Sequence, residues 1–394
     1  MGCRAGVCAV LCRRSVVSIV MRVVRRAGAA VLNGTSVRKV HAFQMELRCG
    51  RRRHARITTR LPWANASQLE WPSQGGWLMD RVALIYNPAS GQGWPRRNAV
   101  VDKTLALLRD AGVHAEALET DGPGSAGKLA QKAVRQGFDT ILACGGDGTV
   151  HEVMQCLVGT TVALGVVPLG TANALAADLG LASSPVKTAG RLLDAIPVRV
   201  PVGRIFYCDM EGVERSRYFT VAAGVGADAL FLSRLDARLK RKLGYLLYLV
   251  EAFRVWATHS FPLFEAVFQE TNGSGERVER VSQLLAVRIR DFGGVLHHLA
   301  PGASLRKESL SLIAFKTRSR FHYMRFLLAV VWRRQTFLNS IELLDADSVK
   351  CRVLKGSRSH LLVEADGELL GSLPARIEIV PEALTLLIPA GIQP

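Results

Sequence analysis

Residues 139–173 read DTILACGGDGTVHEVMQCLVGTTVALGVVPLGTAN, and their pattern decides the fold class. Asp139 to Cys144 is a short apolar run of strand length. It ends in Gly145-Gly-Asp-Gly-Thr149, and Val150 to Val158 then reads as a helix. A second buried run, Val162 to Pro168, ends in Gly170-Thr-Ala-Asn173, and another helix follows through Asp178. Continuous apolar strands joined by helix-length segments belong to a parallel sheet covered on both faces, because a parallel crossover needs a helix to return the chain. The unit is strand, glycine turn, helix.

The same unit extends toward the N-terminus. Arg81 to Asn87 (RVALIYN) predicts the first strand, followed by Pro88-Ala-Ser-Gly-Gln-Gly93 and a helix to about Ala111. Val113 to Thr120 is the second strand, and Gly122-Pro-Gly124 leads into a helix ending near Gly137. Beyond Ile196-Pro197 the pattern changes to β-branched, alternating segments: Val198–Phe206, Ser216–Ala223, Phe264–Phe268, Ser282–Ile289 and Leu310–Lys316. These predict an antiparallel β-rich second lobe, interrupted by helices over about Arg234–Ala257 and Phe321–Phe337. Ala375 to Pro389 reads as two strands that return toward the first lobe. The expected boundaries are therefore a basic extension over 1–78, an α/β lobe over 79–197 completed by about 376–391, and a β-rich lobe over 198–375.

The chain has 394 residues, 49% of them hydrophobic, which is enough for two packed lobes and excludes a mainly disordered chain. Its net charge of +18 is unevenly placed: residues 1–78 hold 14 Lys plus Arg against only Glu46 and Glu70. The remainder is only modestly basic, so the charge does not mark the folded lobes as a nucleic-acid binder. Residues 1–45 lack Asp and Glu and are rich in Arg, as organelle transit segments are. Three readings of 1–78 stay open: sequence upstream of a start at Met79, a targeting segment, or a basic surface-binding tail. No run approaches the roughly 20 apolar residues needed to span a bilayer, and Arg22 interrupts the best one, Val16–Val24. The eight cysteines are scattered with no Cys-x-x-Cys pair, which predicts reduced thiols and no zinc site.

Glycine turns at the C-terminal ends of parallel strands are where open α/β sheets bind ligands. There the backbone approaches an anion closely and the following helix N-terminus favours negative charge. Successive turns of this kind, with Ser90, Asp147, Thr149, Thr171 and Asn173 supplying side-chain donors and acceptors, point to a polyphosphate. The chain has no Gly-x-x-x-x-Gly-Lys-Ser/Thr loop, and no Gly-x-Gly-x-x-Gly follows the first strand, so neither a P-loop enzyme nor an ordinary dinucleotide fold is indicated.

Asn87-Pro88-x-Ser90-Gly91, Gly145-Gly-Asp-Gly-Thr149 with Glu152, Pro168-x-Gly170-Thr-x-Asn173 and Asp366-Gly-Glu368, in this order, resemble the motif set of the diacylglycerol kinase catalytic-domain family of lipid kinases. The Gly-Gly-Asp-Gly turn alone is shared with NAD kinases and phosphofructokinases; the ordered set is more specific. The resemblance implies a two-lobe fold with ATP in the cleft and a lipid hydroxyl presented from the second lobe. It implies that Asn87, Ser90, Gly91, Gly146, Gly148, Thr149, Gly170, Thr171, Asn173 and, in the basic stretch Lys240–Gly244, Arg241 hold ATP. Asp147, Asp366 and Glu368 are the candidate Mg²⁺ ligands and catalytic carboxylates. The base is expected to be Glu368, with Asp147 second. Read without the other motifs, Asp366-Gly-Glu368 is a type I′ hairpin turn with solvated carboxylates. Asp228 matches a family position facing the cleft and the lipid head group, or else it caps the helix that follows.

Two departures matter. Asn173 is followed by Ala174 where many bacterial members carry Asp, and with His151-Glu152 this resembles the sphingosine kinase branch. The family loop whose carboxylates hold a structural Mg²⁺ in some bacterial members reads Pro301-Gly-Ala-Ser-Leu-Arg-Lys-Glu308 here, and Arg306 and Lys307 cannot ligate a cation. That metal is therefore expected to be absent. The expected partners are ATP, a membrane lipid and, transiently, a membrane surface. No specific nucleic acid is expected, and a homodimer is compatible with the resemblance. A cytoplasmic enzyme meeting membranes peripherally is the expected setting, with organelle targeting through residues 1–45 as the alternative. The rival functions are a soluble NAD kinase and a catalytically degenerate lipid-binding protein.

Overall fold

In the computed structural model, residues 79–90, 97–170, 172–181, 184–233, 254–270, 275–292, 299–331, 340–357 and 360–392 are described. The first half alternates strand and helix: β1 (Arg81–Tyr86), α1 (Arg97–Asp110), β2 (His114–Glu119), α2 (Ser125–Arg135), β3 (Thr140–Gly145), α3 (Asp147–Leu157), β4 (Ala163–Pro168), α4 (Ala174–Asp178) and α5 (Pro185–Leu193). β2, β1, β3 and β4 lie side by side and parallel. Every residue of β3 and β4 is buried, as a strand covered on both faces requires.

The second half is strand-rich: β5 (Ile196–Cys208), β6 (Glu214–Phe219), β7 (Ala222–Val225), the short helix α6 (Ala227–Ser233), β8 (Phe264–Glu270), β9 (Glu276–Val281), β10 (Gln283–Val287), β11 (Leu310–Phe315), α7 (Arg320–Val331), β12 (Ile341–Val353), β13 (Leu362–Ala365) and β14 (Glu368–Ile388). Apart from β14 against β4, their pairings are antiparallel. The mixed α/β architecture is the one expected, a parallel N-terminal sheet with an antiparallel β-rich part. A single strand joins the two patterns. β14 pairs antiparallel with β13 through Glu368, and at its far end Thr385 and Leu386 pair parallel with Ala163 and Leu164 of β4. The two strands expected over Ala375–Pro389 are thus one, its pairing to β5 interrupted by register shifts.

Two other local differences have physical reasons. α3 begins at Asp147 rather than Val150, because Gly146 serves as the N-cap and an acid in the first turn suits the helix dipole. β12 was not expected at all: Asp345, Asp347 and Lys350 break its apolar alternation, yet it is inserted between β11 and β8. The helix expected over Arg234–Ala257 falls largely outside the described residues.

Buried polar groups tie the loops to this frame. Glu152 of α3 accepts the backbone N–H groups of Gly124 (2.6 Å) and Ala126 (3.1 Å), capping α2. Asp178, at the end of α4, accepts those of Arg290 and Asp291 beyond β10. The fully buried Arg288 donates to the carbonyls of Leu305, Lys307, Ser309 and Pro201 at 2.7–3.1 Å. Burial lowers its pKa to about 10, yet it stays a cation at neutral pH and is solvated by peptide dipoles. Lys307 meets Asp345 at 2.6 Å. The loop 301–308 is therefore organised by two side-chain cations of this chain.

Candidate active site

The turns after β1, β3 and β4 meet at the C-terminal ends of those strands. Asn87 is fixed by its own backbone N–H to the Cys144 carbonyl (3.1 Å), and its Oδ1 accepts the Ala89 N–H (2.8 Å). Its amide reaches Thr149 Oγ1 at 3.5 Å. Ser90 closes the same turn by donating its N–H to the Asn87 carbonyl. A Cβ on Gly145 would stand 2.5 Å from Thr149 Oγ1, and one on Gly170 would stand 2.6 Å from the Gly146 Cα. The second and third turns thus touch backbone to backbone, and only glycine permits it. Asn173, in a left-handed conformation (φ 48°), closes the third turn by bonding both the N–H and the carbonyl of Gly170.

Asp147 straps the second turn to the third. Its two oxygens accept the N–H groups of Asn173 (2.9 Å) and Ala174 (2.8 Å). Burial raises its pKa against these hydrogen bonds, which hold the charged form. Glycine backbones facing one another at helix N-termini, with Asn, Ser and Thr around them, are a cradle that a polyphosphate fits. Gly91, Thr171 and Arg241 lie outside the described residues.

The opposing wall comes from the β13–β14 hairpin. Asp366 and Gly367 both have positive φ (49° and 83°), a type I′ turn that brings Ala365 opposite Glu368. Asp366 is buried and accepts from five donors: Thr220 N, Thr220 Oγ1, Val221 N, Ala222 N and His151 Nδ1, at 2.8–3.4 Å. Its oxygens are taken up in holding the β6–β7 link and His151, so it organises the turn and leaves Glu368 as the hairpin's open carboxylate. Glu368 is 38% exposed and leans over α3, its Oε1 being 3.5 Å from where a Gly148 Cβ would be.

His151 is the residue whose role the sequence left unassigned. Its ring is 1% exposed, with Nδ1 3.2 Å from Asp366 Oδ2 and Nε2 3.8 Å from Glu368 Oε2. An ionised Asp366 only accepts, so Nδ1 carries the hydrogen. Burial favours the neutral ring, but the two carboxylates outweigh it and raise the His151 pKa. Gln155, one turn on, bonds both the N–H and the carbonyl of Tyr218 and so holds α3 to β6. The i, i+4 pair His151 and Gln155 on one face of a helix was the available signal.

A second carboxyl pair lies behind this wall. Asp228, in the first turn of α6, is packed over Gly224 in the space a Cβ would take, and Glu364 closes on the same point. Both Asp228 oxygens are buried without a well-formed hydrogen bond among the described residues. Burial drives its pKa up to about 7 and that of Glu364 well above the usual carboxylate range. Two buried acids this close retain a proton between them. Glu364 also accepts the Gly367 N–H (3.1 Å), which links this pair to the hairpin. Among the described residues no group of three or more His, Cys, Asp or Glu converges as a ready-made metal cage.

A phosphate cradle of glycine turns on a parallel sheet, faced by a carboxylate from a β-rich half, defines a phosphotransferase of the kinase class. Residues 81–205 match the diacylglycerol kinase catalytic domain family, and residues 220–388 match the YegS C-terminal NAD kinase beta sandwich-like domain. Among curated proteins, the chain is 27% identical over 301 residues to the diacylglycerol kinase of Bacillus subtilis (strain 168), covering 75% of this chain and 92% of the relative. It is 28% identical to the diacylglycerol kinase of Mycobacterium tuberculosis (strain ATCC 25618 / H37Rv), covering 78% and 95%. The probable lipid kinase YegS-like of Chromohalobacter salexigens is 29% identical, with 78% and 93% covered. A crystal structure of a diacylglycerol kinase from Bacillus anthracis str. Sterne shares the fold at a TM-score of 0.56 and 19% identity, covering 79% of this chain and 98% of that one. The chain belongs to the diacylglycerol kinase-like family of lipid kinases, and it is a kinase.

Proposed function

We propose that the protein transfers the terminal phosphoryl group of ATP, with Mg²⁺, to the hydroxyl of an amphipathic membrane lipid such as a diacylglycerol or a sphingoid base. The observation that carries the reading is Glu368, exposed and leaning over Gly148 in the first turn of α3, across from the glycine cradle. In this reading the lobe of residues 79–197, completed by 376–391, takes the nucleotide and residues 198–375 take the lipid.

Asn87, Ser90, Thr149 and Asn173, with the backbone at Gly146, Gly148 and Gly170, hold the phosphates; Gly91, Thr171 and Arg241 belong to the same set. ATP would supply the phosphoryl group, and Mg²⁺, held by one or two protein carboxylates, would supply neutralisation of the phosphate charge. Glu368 would hold the ion through its exposed oxygens, and Asp147 only through the lone pairs left over from the N–H groups of Asn173 and Ala174. Glu368 receives the proton of the lipid hydroxyl as the oxygen attacks, and His151 and Asp366 behind it fix its position. Asp228, the substrate-facing candidate of the resemblance, is buried over Gly224 against Glu364 and supports the hairpin from behind rather than meeting the lipid head group itself. The enzyme acts from the cytoplasm as a peripheral visitor to the membrane; among the described residues no helix is long and apolar enough to cross it.

The test is transfer of labelled phosphate from ATP and Mg²⁺ to micellar diacylglycerol, monoacylglycerol, sphingosine, ceramide and a polyprenol, with NAD as control. Labelled lipid is the expected product and names the substrate. Labelled NADP, or no transfer to any lipid, overturns the proposal.

A further inference from the structure

α7 (Arg320–Val331) is apolar on two opposite faces, and only one of them packs into a core cluster of the described residues. Tyr323, Phe326, Ala329 and Val330 point inward, into a cluster with Ala227, Phe261 and Phe315. Phe321, Met324, Arg325 and Leu328, spaced i, i+3, i+4 and i+7, make the outer face. There Phe321 is 80% and Leu328 45% exposed. A helix apolar on all sides is normally buried, and a Phe so exposed on a regular helix marks a surface that something else covers.

Charge indicates what covers it. From Lys316 to Ser340 the chain has Lys316, Arg318, Arg320, Arg325, Arg333 and Arg334 and no Asp or Glu. Lys316 turns inward to Glu279 and Glu342. Arg318, Arg320 and Arg325 are exposed, and no carboxylate among the described residues pairs with them. Beside the helix start, the half-buried Trp256 donates its indole N–H to the Arg320 carbonyl (3.0 Å). Aromatic and aliphatic groups beside arginines that no carboxylate among the described residues neutralises, next to a tryptophan, match the head-group boundary of an anionic bilayer, which offers acyl chains below and negative charge above.

We propose that the outer face of α7 is the surface with which this kinase seats itself on an anionic membrane. The inner face of α7 shares its cluster with Ala227 and Leu230 of α6, the helix that carries Asp228 in its first turn. Seating α7 therefore places α6, and the buried Asp228–Glu364 pair behind the hairpin, one layer from the bilayer. The inference rests on the lipid-kinase reading for its purpose but not for its binding test.

The experiment sediments the full chain with phosphatidylcholine vesicles and with mixed phosphatidylcholine–phosphatidylglycerol vesicles, at low and at high salt, because residues 1–78 are themselves basic. The wild type should prefer the mixed vesicles. Phe321→Ser with Leu328→Ser should bind about tenfold more weakly even at high salt, where the basic extension is screened. Arg318→Ala with Arg325→Ala should lose the preference for anionic lipid. Both variants should match the wild type on a soluble short-chain lipid and fall behind it on vesicle-borne lipid. Vesicle binding unchanged in both variants overturns the proposal. So does a wild-type dimer that Phe321→Ser with Leu328→Ser dissolves without change in vesicle binding, since the face would then belong to a second copy. Weakened binding together with no phosphorylation of any lipid by the wild type supports the surface and removes the lipid-kinase reading instead.

Discussion

The two sides of the candidate site, the glycine cradle wall and the hairpin wall, are built by opposite means. The cradle wall is local: Gly145, Thr149, Gly170 and Asn173 lie within 29 residues of one another, and its shape follows from backbones that touch because no Cβ intervenes. The hairpin wall is assembled from afar, with Asp366 bonded to His151 across 215 positions and to Val221 across 145. In the proposed function one side recognises a ligand with main-chain groups, which need only the right glycines. The other aims one carboxylate, which needs a scaffold of buried charges to hold it. Substitutions should therefore fail differently on the two sides.

The largest effect is expected at the tip of the hairpin wall. Glu368→Gln keeps the shape and removes the base, so kcat should fall about 10³-fold while ATP affinity changes little. Steady-state kinetics with an ATP-binding measurement checks this. Near-normal turnover would remove Glu368 from the mechanism and bring Asp147→Asn forward. Beneath it, Asp366→Ala should behave as a structural lesion. It leaves the N–H groups of Thr220, Val221 and Ala222 without their acceptor and places Ala at φ 49°. A loss of about 3 kcal/mol in denaturant unfolding is expected, with Asp366→Asn between it and the wild type.

On the cradle wall, Gly170→Ala should cost about 1–3 kcal/mol, because its Cβ would stand 2.6 Å from the Gly146 Cα and one turn must move. The loss should show in KM for ATP more than in kcat, the reverse of Glu368→Gln. Equal effects on both parameters would mean that the two walls are not separable.

The contrast also explains what the sequence made legible. The glycine turns, their order and the parallel strands before them could be read directly, because local pattern and local geometry coincide there. Glu368 was named only through the resemblance of Asp366-Gly-Glu368 to the family motif, whereas the hairpin turn itself was legible from Asp-Gly. The start of α3 was misplaced by three residues because Gly148 reads as a breaker, although it lies within the first helical turn. The burial of Asp366 under five donors could not be foreseen, as four of them come from the Thr220–Ala222 link, which carries no motif. β12 escaped for a related reason: Asp345 and Asp347 are polar in pattern, and only the partners around the strand make it a strand. Arg288 lies unremarked in the expected strand Ser282–Ile289, and only the fold gathers four carbonyls around it.

The smallest effect, and the one that probes the scaffold without disturbing either wall, concerns the proton between Asp228 and Glu364. With a folded pKa of about 7 against about 3.9 for an unfolded Asp, the native state holds a proton that the unfolded chain has already released. The stabilisation this provides is complete below about pH 4 and is lost as pH rises toward 7. Asp228→Asn replaces the titrating group with a permanent donor to Glu364, so its stability relative to the wild type should improve as pH rises. The expected gain between pH 5 and pH 8 is on the order of 1 kcal/mol, seen as a rise of a few degrees in the Tm difference. Thermal unfolding of both proteins at the two pH values decides it. A Tm difference independent of pH would mean that Asp228 is ionised throughout, and the hairpin would then rest on two buried charges rather than on a shared proton.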